Sequence, residues 1–119
     1  MLLTTKQMRL RRAKATRNKI LNSGKHRLLV HRSNRHIYAQ VFDPAAGNVI
    51  VSASTLESSV KNRFPNGSTI EAAKYVGELI AQKSLDCNID EVAFDRSGFK
   101  YHGQIKALAE AARNGGIKF

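Results

Sequence analysis

The sequence has one cysteine, Cys87, two prolines and no tryptophan. A single thiol excludes an internal disulfide framework and a cysteine-rich zinc site, and it suits a reducing compartment. No apolar run approaches the roughly 20 residues of a membrane span, and the opening MLLTTKQMRLRR has no apolar segment of signal-peptide length. The expectation is a soluble, cytoplasmic protein. No GxSxG elbow, P-loop or GxGxxG occurs, and His26, His31, His36 and His102 lack metal-ligand spacing.

The most informative absence is acid. From Met1 to Phe42 there are eleven basic residues and no acidic one, whereas the remainder carries nine of each, so the first third accounts for the whole formal charge of +11. Such asymmetry points to a polyanion, with nucleic acid first. The alternatives are a solvated basic tail or a patch for anionic lipid. A membrane-surface helix needs a strong apolar face. Here the charges at 6, 9, 11, 12, 14, 17 and 19 circle the helix, leaving Met8, Leu10, Ala13, Ile20 and Leu21 as a weak stripe.

What is present forms one domain of 119 residues, 42% hydrophobic, long enough to bury a core. Residues 1–24 read as a basic N-terminal arm, helical or ordered on RNA, because a helix so uniformly basic repels itself. Thr4 and Gln7 have capping-box spacing, and Asn22-Ser23-Gly24 ends the segment. Residues 25–119 form the α/β domain. Runs at 27–33, 36–43 and 48–54 predict three antiparallel strands in a meander, with Ile37, Ala39 and Val41 alternating against Tyr38, Gln40 and Phe42.

Helical periodicity follows. Ser54 and Glu57 could cap a short helix, and Ser68 with Glu71 a longer one, whose buried face is expected to be Ile70, Ala73, Val76, Leu79, Ile80 and Leu85. Residues 91–95 suggest a parallel strand, and from Gly103 a last helix buries Ile105, Leu108, Ala109 and Ala112. The sum is α/β: a meander followed by α-β-α, a mixed sheet with helices packed on it.

Three strands followed by helix, strand and helix raise a ribonuclease-H-like layer, and with it a metal-dependent nuclease. Two-metal phosphoryl transfer needs converging carboxylates. The first strand supplies Arg27, His31 and Arg32 and no acid, leaving Asp95 without an evident carboxylate partner. The stretch FDRSGFKYHG instead offers Arg96, Lys100, Tyr101, His102 and Gln104 for hydrogen bonding and stacking. Its plainer reading pairs Asp95 with Arg96, puts Phe99 in the core and lets Tyr101 and His102 cap the last helix. The tight turn Arg32, Ser33, Asn34, Arg35, His36, with Tyr38 and Gln40 beyond it, makes the same offer from a sheet face shared with His31, Ser52 and Ser54.

RLLVHRSNRHIYAQVFD, VSASTLE and FDRSGFKYHGQIKALAEAARNGGIKF, in this order behind an arginine-rich N-terminus, resemble the bacterial large-subunit ribosomal proteins of family L-eighteen across essentially the whole chain. The resemblance implies a ribonuclease-H-like layer without catalysis, no cofactor or small-molecule substrate, and binding to 5S rRNA. It also implies a place in the central protuberance, joining 5S to 23S rRNA beside neighbouring large-subunit proteins. The RNA contacts it implies fall on Arg9, Arg11, Arg12, Lys14, Arg17 and Lys19, on Arg32, Ser33, Asn34, Arg35, His36, Tyr38 and Gln40, and on Arg96, Lys100, Tyr101 and His102. Gln104 stands where the family commonly has arginine, which removes a phosphate contact. Residues 58–67 have no distinctive match and read as a variable surface connection.

Overall fold

The computed structural model describes residues 3–119, the side chains of residues 21–23 excepted. Residues 1 and 2 of the arm, and the side chain of Leu21 in its apolar stripe, therefore lie outside the described part. Helix α1 runs Thr5–Ser23 and opens on the expected capping box: Gln7 N–H donates to Thr4 Oγ1 at 3.1 Å and Thr4 N–H to Gln7 Oε1 at 2.8 Å. It ends at Gly24, whose left-handed backbone (φ 71°) closes the helix at low steric cost. Of the weak stripe, Ala13 and Ile20 are buried, while Met8 and Leu10 stay exposed.

Strands β1 (Arg27–Arg32), β2 (Ile37–Asp43) and β3 (Asn48–Ser54) pair antiparallel in turn, His31 facing Tyr38 and Gln40 facing Ser52. Strand β4 (Ala93–Asp95) adds parallel to β1, giving the mixed order β3-β2-β1-β4. Between β3 and β4 lie α2 (Ser58–Arg63) and α3 (Ile70–Asp86), and α4 (Gly103–Asn114) closes the chain.

Alternation decides the layers. Leu28, Val30, Ile37, Ala39, Val41 and Ala53 point to one face and are buried with Val76, Ile80, Leu108 and Ala112 of α3 and α4. The opposite face carries Leu29, His31, Tyr38, Gln40 and Ser52 and is half-buried or open. Helix α1 lies on that side, at the β4 edge.

Three local expectations are corrected. Helix α3 is capped by Thr69, whose hydroxyl accepts from Ala72 N–H at 3.2 Å, because Ser68 instead donates to Asn66 Oδ1 at 2.6 Å. Helix α2 has no side-chain cap: Ser54 Oγ accepts from Leu56 N–H, and the Glu57 carboxylate pairs with Lys83 at 2.9 Å. Ile70 and Leu85 are exposed, since they sit at the two ends of α3, while Ala72, Gly77 and Ala81 join the buried face.

Candidate nucleic-acid interface

The stretch 95–99 begins at the last residue of β4 and passes beneath α1. Asp95 is fully buried (0% exposed), and its two oxygens are both engaged: Oδ1 accepts from Ser97 N–H at 2.9 Å, and Oδ2 from Arg17 Nε at 3.0 Å. Arg27 Nε lies 3.6 Å from the same Oδ2, an ionic contact too long for a hydrogen bond, and that N–H has no other partner. A buried carboxylate is tolerated when cations and N–H donors surround it. Asp95 pairs at long range with Arg17 and Arg27, and not with Arg96 as the plainer reading of the loop had it; Arg96 is exposed.

Two further arginines of α1 meet the same loop. Arg9 Nη1 donates to Ser97 O at 2.8 Å, and its guanidinium lies 4.3 Å from the Phe99 ring centre. Arg12 Nε donates to Gly98 O at 3.2 Å. Helix and loop backbones touch here, because a Cβ built on Gly98 (φ +75°) would come 2.0 Å from Arg9 O. Only glycine allows both this backbone conformation and this approach. The self-repulsion expected of α1 is therefore offset by two carbonyls, one aromatic face and one carboxylate. Arg11, Lys14 and Lys19 are exposed on its remaining surface.

A cleft of about 570 Å³ opens between α1 and the loop. Phe99 and Ile105 give it an apolar floor; Lys6, Arg9, Arg12, Arg32 and Lys100 supply positive charge, with Thr5 and His102 completing the wall. The structure thereby gathers Arg9, Arg12, Arg32, Lys100 and His102 from three distant stretches. A second cleft of about 410 Å³ collects Tyr38, Gln40 and Ser33 with Arg17, Leu29, His31 and Ser97 on the open sheet face. Partial burial, then the nearby charges of Arg9 and Arg17, hold the His31 imidazole below its ordinary 6.5.

Tyr101, Asn34, Arg35 and His36 lie outside these two clefts, and His102 and Ser33 also shape local structure. Tyr101 lies edge-on to Phe94 at 6.2 Å, and its hydroxyl accepts from Arg113 Nη1 at 3.2 Å, so its ring is packed among C-terminal residues. His102 occupies the α4 N-cap position without making a side-chain cap bond. Arg35 and His36 line a separate concavity with Lys61 and Asn66, and His36 Nδ1 is 3.0 Å from Thr55 Oγ1. Ser33 and Asn34 are exposed at the turn, which Ser33 N–H closes on His36 O. Gln104 is buried, donating to the Gly67 and Thr69 carbonyls.

Sequence reasoning missed Thr5, Lys6, Phe99 and Ile105 as residues of the first cleft. Lys6 belongs to the same charge run as its neighbours and could have been included; Phe99 and Ile105 were read as core, and Thr5 carries no local signal. Among the described residues, no three His, Cys, Asp or Glu side chains form a metal-binding group, and no helix is long and apolar enough to cross a membrane.

Comparison with known proteins gives one family. The family described as "Ribosomal L18 of archaea, bacteria, mitoch. and chloroplast" matches residues 3–119. A protein of Nitrosomonas europaea named "Large ribosomal subunit protein uL18" is 70% identical over 119 residues, covering 100% of both chains. Proteins of the same name from Nitrosospira multiformis and Methylococcus capsulatus are 54% and 55% identical, covering 95% and 96% of this chain and 96% and 97% of their own.

Proposed function

The chain belongs to the ribosomal L18 family and is a structural, non-enzymatic protein of the large ribosomal subunit; we propose that within that subunit it binds 5S rRNA and helps attach it to 23S rRNA in the central protuberance. The observation that carries the reading is the cleft between α1 and the 95–100 stretch, where five cations surround an apolar floor and no acidic side chain contributes to the lining. The cleft cations not bonded to the loop, Lys6, Arg32 and Lys100, neutralise phosphates and set orientation, while the half-open sheet face with Tyr38, Gln40 and His31 offers stacking and hydrogen-bonding groups to unpaired bases and ribose hydroxyls. A ribonuclease-H-like layer is used here to hold RNA. Asp95, at the end of β4, is occupied by arginines and a backbone N–H, which suits attachment and leaves no free metal ligand at that position.

The test is the affinity for refolded 5S rRNA against a size-matched unrelated RNA between about 50 and 200 mM salt, where six to ten phosphate contacts cost roughly 10³-fold or more. Expected is a preference for 5S rRNA that survives the higher salt. Equal affinities collapsing together would reduce the protein to a general polyanion binder. Arg32→Ala and His102→Ala should lower the preference more than they lower generic binding.

A further inference from the structure

The arm is not uniform: α1 turns some of its cations inward and others outward. Arg9 and Arg12 are hydrogen-bonded to loop carbonyls, and Arg17 to a carboxylate that solvent does not reach. The loop is shaped for this contact, since Gly98 admits the α1 backbone at a distance no side chain would allow. Ser97, beside it, holds a positive φ of 56°, unusual for a residue with a Cβ. Its N–H donates to Asp95, so the turn and the carboxylate hold each other in place.

We propose that Asp95 is a positioning residue for RNA binding: through Arg17 it seats α1 on the 95–99 loop, so that Arg9, Arg12 and Arg17 fasten the arm while Arg11, Lys14 and Lys19 are presented to phosphates. The proposal rests on the RNA-binding reading above and adds a division of labour within it. Its distinguishing feature is a sign. Asp95→Asn makes the chain more basic, and by charge alone it should tighten binding to any polyanion. If Asp95 instead seats the helix, the same change loosens the arm, and RNA must then meet the cost of ordering it, so binding weakens.

The experiment uses the full chain and two readouts. Amide hydrogen exchange of the free protein reports whether residues 5–20 are held and whether the sheet stays intact; titration with refolded 5S rRNA reports affinity. Asp95→Asn and the charge-neutral Gly98→Ala are expected to speed exchange in α1 with β1 and β2 still protected. Each should weaken RNA binding by roughly tenfold, the equivalent of about 1.4 kcal/mol, the scale of one charge-assisted hydrogen bond. Arg17→Gln should also speed exchange in α1, and adding it to Asp95→Asn should have little further effect. Unchanged α1 exchange in Gly98→Ala and Arg17→Gln overturns the proposal, as does Asp95→Asn binding RNA as tightly as the parent once its arm is loosened. If Asp95→Asn also exposes the sheet, the other two variants decide. A parent chain with no preference for 5S rRNA would instead sink the functional reading, and the exchange data on the free protein would still show whether Asp95 holds the helix.

Discussion

His31 stands on the open sheet face with Tyr38 and Phe99 as ring neighbours, at 6.1 and 5.6 Å. Partial burial and the charges of Arg9 and Arg17 lower its pKa from 6.5, so the folded chain binds this proton less readily than the unfolded chain does. The stability from keeping His31 neutral is complete above about pH 6.5 and is lost as pH falls from there through the lower folded value. An NMR titration of the free protein should place the His31 pKa below 6.5, and Arg17→Gln should move it upward. A value at or above 6.5, or one indifferent to Arg17, would show that α1 does not sit over this face. At this scale the sequence was informative about residue type and less so about partner. Tyr101 and His102 are adjacent in the chain, yet one ring packs against Phe94 and the other side chain lines the cleft. Two neighbours leading into a helix point apart, and no spacing rule says which of them faces the partner.

Among the elements, α3 and α4 approach each other closely at Gly77. A Cβ there would meet Leu108 O at 2.4 Å and Ala111 Cβ at 2.9 Å. Gly77→Ala gains roughly 1 kcal/mol of helix propensity, but forcing the helices apart in a filled core costs typically 1–3 kcal/mol. The expected net loss is on the order of 1 kcal/mol, read as a lower urea midpoint with an unchanged slope. RNA affinity of the folded protein should not move, because Gly77 and the Leu108 and Ala111 it meets line neither cleft. A raised midpoint would mean that the helices relax freely at this point. Periodicity located these elements because period two and period 3.6 survive in their buried residues. It misplaced the α3 cap by one position because Ser68 and Thr69 are both good caps, and Asn66 takes the Ser68 hydroxyl. It also overextended the buried face of α3, since a repeat gives the direction of a face and says nothing about how far the neighbouring helix reaches.

Taken whole, the chain carries its net charge in its first third, and this was legible from charge counts alone. What the counts could not show is that Arg9, Arg12 and Arg17 are joined to residues 88, 86 and 78 positions away. No local pattern encodes a contact at that separation, so a helix that looks self-repelling in the sequence is docked in the fold. The consequence for RNA binding is quantitative. Each phosphate neutralised by a cation releases counterions and adds about 0.7 to 0.9 to the slope of log affinity against log salt. Only cations that reach phosphates contribute. Neutralising Arg11, Lys14 and Lys19 together to glutamine should therefore lower the slope by about 2 to 3 and leave the exchange protection of α1 unchanged. Lys74 and Lys106 are also exposed, on α3 and α4, but line neither cleft. Neutralising them removes real charge at the wrong place, and the slope should hardly change. If the two sets of variants lost slope in proportion to charge removed, net charge would govern binding and the geometry of α1 would be irrelevant to it. A difference confined to the first set would mean that the docked helix aims its free cations at RNA.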